Sequence, residues 1–347
     1  MHVKRRDVVL LQCGHCSLIF NSAFDSSLSP YDHRYENRQS CSPAFRGHMA
    51  ALATELITRH ALQGKRILEV GCGQGDFLTL LCEQAGAKGV GYDTSYEGPR
   101  TRLGGRVRFV DRYVSADDIA DPFDIVVCRH VVEHIGAIGE FLSGLRAIAE
   151  RCGNAVTVIE TPSFEWTARN GCFWDVFYEH CNYFTQPCLA YLCRRAGFAV
   201  DRQRPAFGGQ YQVLELRVGR RATAPRPPRR AVELTEFRRD SEAAVTSLGR
   251  LLERHGARKG WAIWGAGAKG VALANRLRQI RPSFVVDANP AKQGCIIPAT
   301  RIPIIAPEDP RVLELQLILV ANPNYADEIG STLHGLGYDG TVLAAGR

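Results

Sequence analysis

From Lys65 onward the chain alternates short apolar runs with stretches of helical period. RILEVG (66–71) and FDIVVC (123–128) are predominantly apolar runs of strand length, as expected for strands covered on both faces. GDFLTLLCEQAG (75–86) reads as a helix that ends at Gly86, where glycine can take a left-handed cap. KGVGYD (88–93), RVRFV (106–110), AVTVIET (155–161) and QYQVLELRV (210–218) read as further strands, and AIGEFLSGLRAIAERCG (137–153) as a helix. A helix over MAALATELITRHAL (49–62) precedes this series. Alternation of strand and helix predicts an α/β fold with a doubly wound parallel sheet.

The pattern breaks at GRRATAPRPPRR (219–230), whose proline and arginine mark a linker. A long helix is expected over Ala231–His255, and a second α/β unit starts at GWAIWGAGAKG (260–270) and continues through SFVVD and LQLILVANP. The reading is therefore an N-terminal module over 1–48, a first core over 49–219, a linker over 220–231 and a second lobe over 232–347.

A length of 347 residues agrees with more than one core. The formal charge is +7, but part of the basic excess sits in the linker, so charge alone does not mark a nucleic-acid face. Its longest apolar run, LQLILVA (315–321), suits a buried strand and is far short of a membrane span. The N-terminus lacks the apolar core of a secretion signal, and a cytoplasmic protein is expected. Of twelve cysteines, Cys13 and Cys16 make the one C-x-x-C pair. Others, such as Cys82, Cys128 and Cys193, lie in apolar segments as small core residues.

The sharpest local signal is ILEVGCGQGD (67–76). A strand ending in Glu69 runs into Gly71, Gly73 and Gly75 before a helix, so the backbone can turn tightly and approach a ligand. Asp93 ends the next strand, where a carboxylate can accept from ribose hydroxyls, and RHVVEHI (129–135) puts polar groups at the carboxyl end of a later one.

This order resembles the class I S-adenosylmethionine (SAM)-dependent methyltransferases over Lys65–Gly153. The resemblance implies that Gly71–Gly75 lies beside the amino-acid end of SAM, that Asp93 holds its ribose and that Asp111 stands near adenine. Glu69 and His130 join the expected cofactor site. CGHC (13–16), YEHCNYFT (178–185), WGAGAKG (264–270) and ANPNY (321–325) extend the resemblance to the sugar C-methyltransferase type. That family combines a zinc-binding N-terminal module, a SAM-binding Rossmann-like core and a second Rossmann-like lobe. It implies a small substrate, a keto-deoxysugar on a nucleoside diphosphate, methylated at carbon through an enolate, without membrane or nucleic acid as partner.

On this resemblance His180 is the base, with Glu179, His134 and Tyr35 in the catalytic set and Tyr178 or Tyr183 as donor to the enolate oxygen. Cys13 and Cys16 offer two zinc ligands; Cys41, His15 or His33 could add to them, and structural zinc takes four. The chain departs from the family twice. Phe177 and Tyr178 replace the tyrosine and histidine of the usual Y-H-E-H, and FGGQYQ (207–212) lacks the histidine and arginine expected there. The substrate thus stays open to another small molecule methylated on oxygen or nitrogen, to RNA, or to a scaffold role without turnover. The second glycine loop, with Gly265, Gly267, Gly270, Lys269 and the later Asp287, nearly meets the dinucleotide fingerprint and could bind a phosphate-bearing substrate or NAD, or be purely structural.

Overall fold

The structure is a computed structural model that describes residues 6–28, 40–219 and 225–346. Tyr35 and His33 lie outside the described residues.

The first core is built on seven strands: β1 (Arg66–Val70), β2 (Lys88–Tyr92), β3 (Val107–Val110), β4 (Ile125–Arg129), β5 (Val156–Pro162), β6 (Phe198–Ala206) and β7 (Tyr211–Val218). Their order across the sheet is β6-β7-β5-β4-β1-β2-β3, with the two-residue strand Thr101–Arg102 at the edge. Strands β1 to β5 are mutually parallel, while β7 pairs antiparallel with both β5 and β6. Order reverses beside β1, so the carboxyl ends of β1 and β4 open onto a crevice, the place where ligands of open α/β sheets bind.

The flanking helices follow the sequence periods, with Gly86 capping Asp76–Ala85 at a φ of 58°. One boundary differs. The first helix spans Pro43–His60 and starts six residues before the apolar period at Met49. Ser42 is its N-cap and accepts from Phe45 N at 3.2 Å, and Pro43 fills the first turn, where its missing N–H costs nothing. Cap chemistry, not apolar spacing, sets that start.

The second lobe is a six-stranded sheet whose centre is Trp261–Trp264, flanked by the parallel strands Phe284–Val286 and Leu317–Val320. Helix Leu234–Arg254 leads into it. A third sheet, of three strands, joins the hairpin Leu10–Gln12 and Ile19–Asn21 to Asn182–Tyr183. The N-terminal module therefore pairs directly with the segment that carries His180. Cys82, Cys128 and Cys193 are buried in the core, and all twelve thiols are free. No helix among the described residues is long and apolar enough to cross a membrane.

Candidate active site

The first glycine loop leaves β1 under tight steric control. Gly71 and Gly75 adopt φ of 74° and 76°, and an added Cβ would lie 2.2 Å from Val131 Cγ2 and 2.3 Å from the Phe109 ring respectively. Around Gly73 an added Cβ would meet nothing within 4 Å, so the loop offers open space there. Asp93 holds the loop in place. It accepts from Gly73 N at 2.7 Å, and from Ser95 N at 2.8 Å and Ser95 Oγ at 2.6 Å.

Two ionisable groups at the strand ends beside this loop keep an unpartnered atom. Glu69 is 2% exposed, and neither its Oε2 nor Arg129 Nη2 has a hydrogen-bond partner. Burial pushes Glu69 up to about 8, against the pull of Arg129. SAM ends in an ammonium and a carboxylate, so an orphaned carboxylate oxygen and an orphaned guanidinium nitrogen beside open backbone fit that group. Asp111 follows β3 but sits in an exposed two-point ion pair with Arg100, at 2.6 and 2.9 Å.

At the end of β4 the chain turns at His130, whose φ of 53° is costly for a residue with a Cβ. Its N–H donates to Glu160 O at 2.8 Å, which holds the turn against β5. The imidazole lies between two carboxylates, Nδ1 3.6 Å from Glu133 Oε1 and Nε2 3.5 Å from Glu160 Oε2. Burial opposes its protonated form, but Glu133 and Glu160 prevail and raise it above the usual histidine range. Glu160, fully buried, also accepts from Arg129 Nε at 2.7 Å and His48 Nε2 at 2.6 Å. Burial opposes its ionisation too, yet Arg129 and the two histidines hold it well below the usual carboxylate range.

His134 and His180 come together across this turn, ring centroids 4.8 Å apart and edge to face. His134 Nδ1 lies 2.8 Å from Glu179 O; a carbonyl only accepts, so Nδ1 donates in this bond. Asn182 Nδ2 donates to Ile135 O at 2.7 Å and clamps the segment of His180 to the turn of His134. Burial, helped by His134, holds His180 well below the usual imidazole range, while Glu133 pulls the other way. At neutral pH His180 is therefore the free-base imidazole.

Both tyrosines expected beside His180 have their hydroxyls engaged elsewhere. Tyr178 Oη donates to Ala23 O at 3.2 Å and accepts from Asp25 N at 2.8 Å, in the N-terminal module. Tyr183 Oη donates to Phe177 O at 3.0 Å, and burial raises its pKa. His134, His180 and Glu133 line a cleft of roughly 1930 Å³ between the two lobes, whose far wall includes the second glycine loop.

That loop is occupied by contacts within the chain. Gly270 packs so closely that an added Cβ would lie 1.7 Å from Gly265 O. Lys269 forms an ion pair with buried Asp175. Asp287 accepts from Ala266 N at 2.6 Å and Asn289 N at 2.8 Å. ANPNY is a latch: Asn322 and Asn324 donate to Gln210 Oε1 at 3.2 and 2.9 Å, and Asn324 also donates to Phe207 O at 2.8 Å. Cys13 and Cys16 flank a tight turn, with Ser17 N donating to Cys13 O. Among the described residues they gain no third histidine, cysteine or carboxylate within ligand distance, and His15 Nε2 lies 2.9 Å from Tyr191 Oη. The described residues therefore do not make up a four-ligand zinc site.

Residues 45–203 match the family described as Methyltransferase domain, and residues 229–344 match the C-methyltransferase C-terminal domain. The chain is a SAM-dependent methyltransferase. Among relatives, the methyltransferase is 28% identical over 315 residues to the C-methyltransferase NovU of Streptomyces niveus, covering 81% of this chain and 72% of that protein. It is 34% identical over 116 residues to the ubiquinone biosynthesis O-methyltransferase of Rhodopseudomonas palustris. That match covers 30% of this chain and 43% of the relative, less than half its length. Among solved structures, the 1,6-didemethyltoxoflavin-N1-methyltransferase of Burkholderia thailandensis is 20% identical, with 51% of this chain and 82% of that chain covered. Its TM-score is 0.39, which carries no argument of its own.

Glu133 stands in RHVVEHI itself, where it or His130 is expected to contact SAM. Two other residues of the site escape a reading of motifs: Glu160 on β5 and His48 on the first helix, both far from that turn in sequence. One signal was present: Glu160 is a carboxylate inside the apolar run VTVIET, and a buried charge needs a partner.

Proposed function

We propose that this methyltransferase methylates a carbon next to the ketone of a small, nucleotide-linked keto-deoxysugar in the cytoplasm, with His180 removing the carbon-bound proton. The reading rests chiefly on one observation, the imidazole of His180 set edge to face against His134 on the wall of a cleft shared by two lobes. The C-methyltransferase relative matched across most of the chain supports carbon over oxygen as acceptor. The ubiquinone O-methyltransferase match is confined to 116 residues and adds nothing about the acceptor.

In this mechanism Glu69, Gly71, Gly73, Gly75, Asp93 and Arg129 would hold SAM, with His130 at the turn between cofactor loop and cleft. When bound, SAM supplies a methyl group on a sulfonium, already activated for attack. The protein's part is to bind the sugar, align its carbon and move one proton. His180 takes the proton, and the C–H electron pair stays on the substrate as an enolate. Tyr178 and Tyr183 donate to backbone carbonyls, and the family resemblance offers Tyr35 as a further donor to the enolate oxygen. The boundary expected at 48/49 falls inside the helix Pro43–His60, so the SAM-binding core takes that whole helix and runs to 219, and beyond the linker at 220–231 the segment 232–347 frames the substrate.

The test is His180→Ala with a panel of nucleoside-diphosphate keto-sugars, followed by mass change and by solvent deuterium exchange. The variant should bind SAM normally, lose turnover and lose exchange at the carbon next to the ketone. Methylation on oxygen alone, or full turnover in the variant, would reject the reading.

A further inference from the structure

Glu179 is the neighbour of His180 in sequence, yet it meets the histidine pair through its backbone oxygen on His134. A different carboxylate faces that pair. One donor atom from each of Glu133, His134 and His180 can be chosen so that all three lie within 4.8 Å of one another. Glu133 is 2% exposed, and its orientation is fixed on two sides. Thr161 Oγ1 donates to Oε2 at 2.8 Å, and His130 Nδ1 stands 3.6 Å from Oε1. Behind His130, Glu160 is held by Arg129 and His48. Two carboxylates, a guanidinium and the imidazole of His130 thus form one stack from the first helix to the cleft wall.

We infer that Glu133 is the positioning residue for proton removal, the fixed counter-ion that orients His134 and His180 and balances the imidazolium formed on His180. The inference rests on the reading of His180 as base. The step balances simply: the substrate C–H bond breaks, its electron pair remains as the enolate, and the proton forms an N–H bond on His180. A buried imidazolium without a nearby anion would be strongly disfavoured. Among the other charges acting on His180, His134, Lys269 and His130 disfavour its protonation and Glu133 favours it. Lys269 is itself paired with Asp175, and uncharged Phe177 and Tyr183 pack on the other faces of the His180 ring. Burial opposes ionisation of Glu133, but His130, His134 and His180 hold it down to about 2, so the counter-ion is present at every working pH.

Glu133→Gln, Glu133→Asp and, as an exposed control on the helix that follows the turn, Glu140→Gln are to be compared in the full chain. Solvent deuterium exchange into the keto-sugar is followed with S-adenosylhomocysteine bound, alongside kcat, KM and SAM affinity. Glu133→Gln should lower exchange and kcat by about 100-fold while KM and SAM affinity move less than about threefold; Glu133→Asp should recover part, and Glu140→Gln should stay near wild type. Histidine-selective NMR titration gives a second readout that needs no turnover. The proton affinity of His180 should drop in Glu133→Gln and hold in Glu140→Gln. The inference is overturned by an unshifted His180 titration or by exchange that survives in Glu133→Gln. It is also overturned by a parallel loss of SAM affinity, or by activity that chelator removes and a divalent cation restores. Wild-type enzyme that methylates oxygen without exchange would reject the base assignment, while the NMR titration still decides the coupling of Glu133 to His180.

Discussion

The ammonium of Lys269 and the carboxylate of Asp175 form an ion pair that ties the second glycine loop to the segment bearing His180. Lys269 has the spacing of a phosphate-binding lysine, but its charge is committed within the chain. Asp175 is 8% exposed, so removal of the lysine leaves a carboxylate without its counter-charge. Lys269→Ala should destabilise the protein by about 2–3 kcal/mol, somewhat less than for a fully buried pair. Adding Asp175→Asn should restore most of that loss. Urea midpoints of the two single variants and the double variant check this.

Asp93 fixes the cofactor loop through Gly73 and Ser95. Asp93→Ala removes three accepted hydrogen bonds at once. SAM affinity should fall by about 10–100-fold, measured by calorimetry. Gly75→Ala should weaken SAM at least as much, because its Cβ collides with Phe109 at a positive φ.

Glu69 predicts a pH dependence of stability. Its folded pKa is about 8 against an ordinary value of 4.5. Below the ordinary value both folded and unfolded chains are protonated, and the stability is fully present. As pH rises toward 8 the unfolded chain ionises first, so stability is lost across that window, by at most about 5 kcal/mol. Glu133 and Glu160 act below this window, since their folded pKa values are depressed. Glu69→Gln should therefore flatten the decline between pH 5 and pH 8 in cofactor-free protein. Denaturant titrations of variant and wild type across those pH values are the measurement, and their difference isolates Glu69.

Gln210 takes two amide donors from the second lobe, and Phe207 holds a φ of 48° beside it. Gln210→Ala leaves Asn322 and part of Asn324 unsatisfied at a buried contact. A loss of about 1–3 kcal/mol is expected, with a rise in proteolysis at the 219–230 linker. Limited trypsin digestion reads that directly, since the linker is rich in arginine.

The parts of this molecule that were legible in its sequence are those set by local pattern. Strands β1, β4 and β5 are predominantly apolar runs, and Gly71 and Gly75 are required where the loop passes Val131 and Phe109. Pairings made by topology were not legible. Asp111 has the right place after β3 but meets Arg100 at the surface. Tyr178 stands beside His180 in sequence, yet its hydroxyl serves the N-terminal module. Glu133 meets His130 within one turn, at a spacing the motif carries, but Glu160 meets His130 because β4 and β5 are parallel neighbours, a fact of sheet order that no motif spacing carries.

The cleft between the lobes is not lined by Gly71, Gly73, Gly75 or Asp93; it borders their compartment through the turn of His130, Glu133 and His134. The first glycine loop and the cleft thus meet at that one turn, across which a methyl group has to pass from donor to acceptor. Changes on the second-lobe side of the cleft can then reshape the space open to an acceptor while leaving the contacts of Gly71, Gly75 and Asp93 as they are.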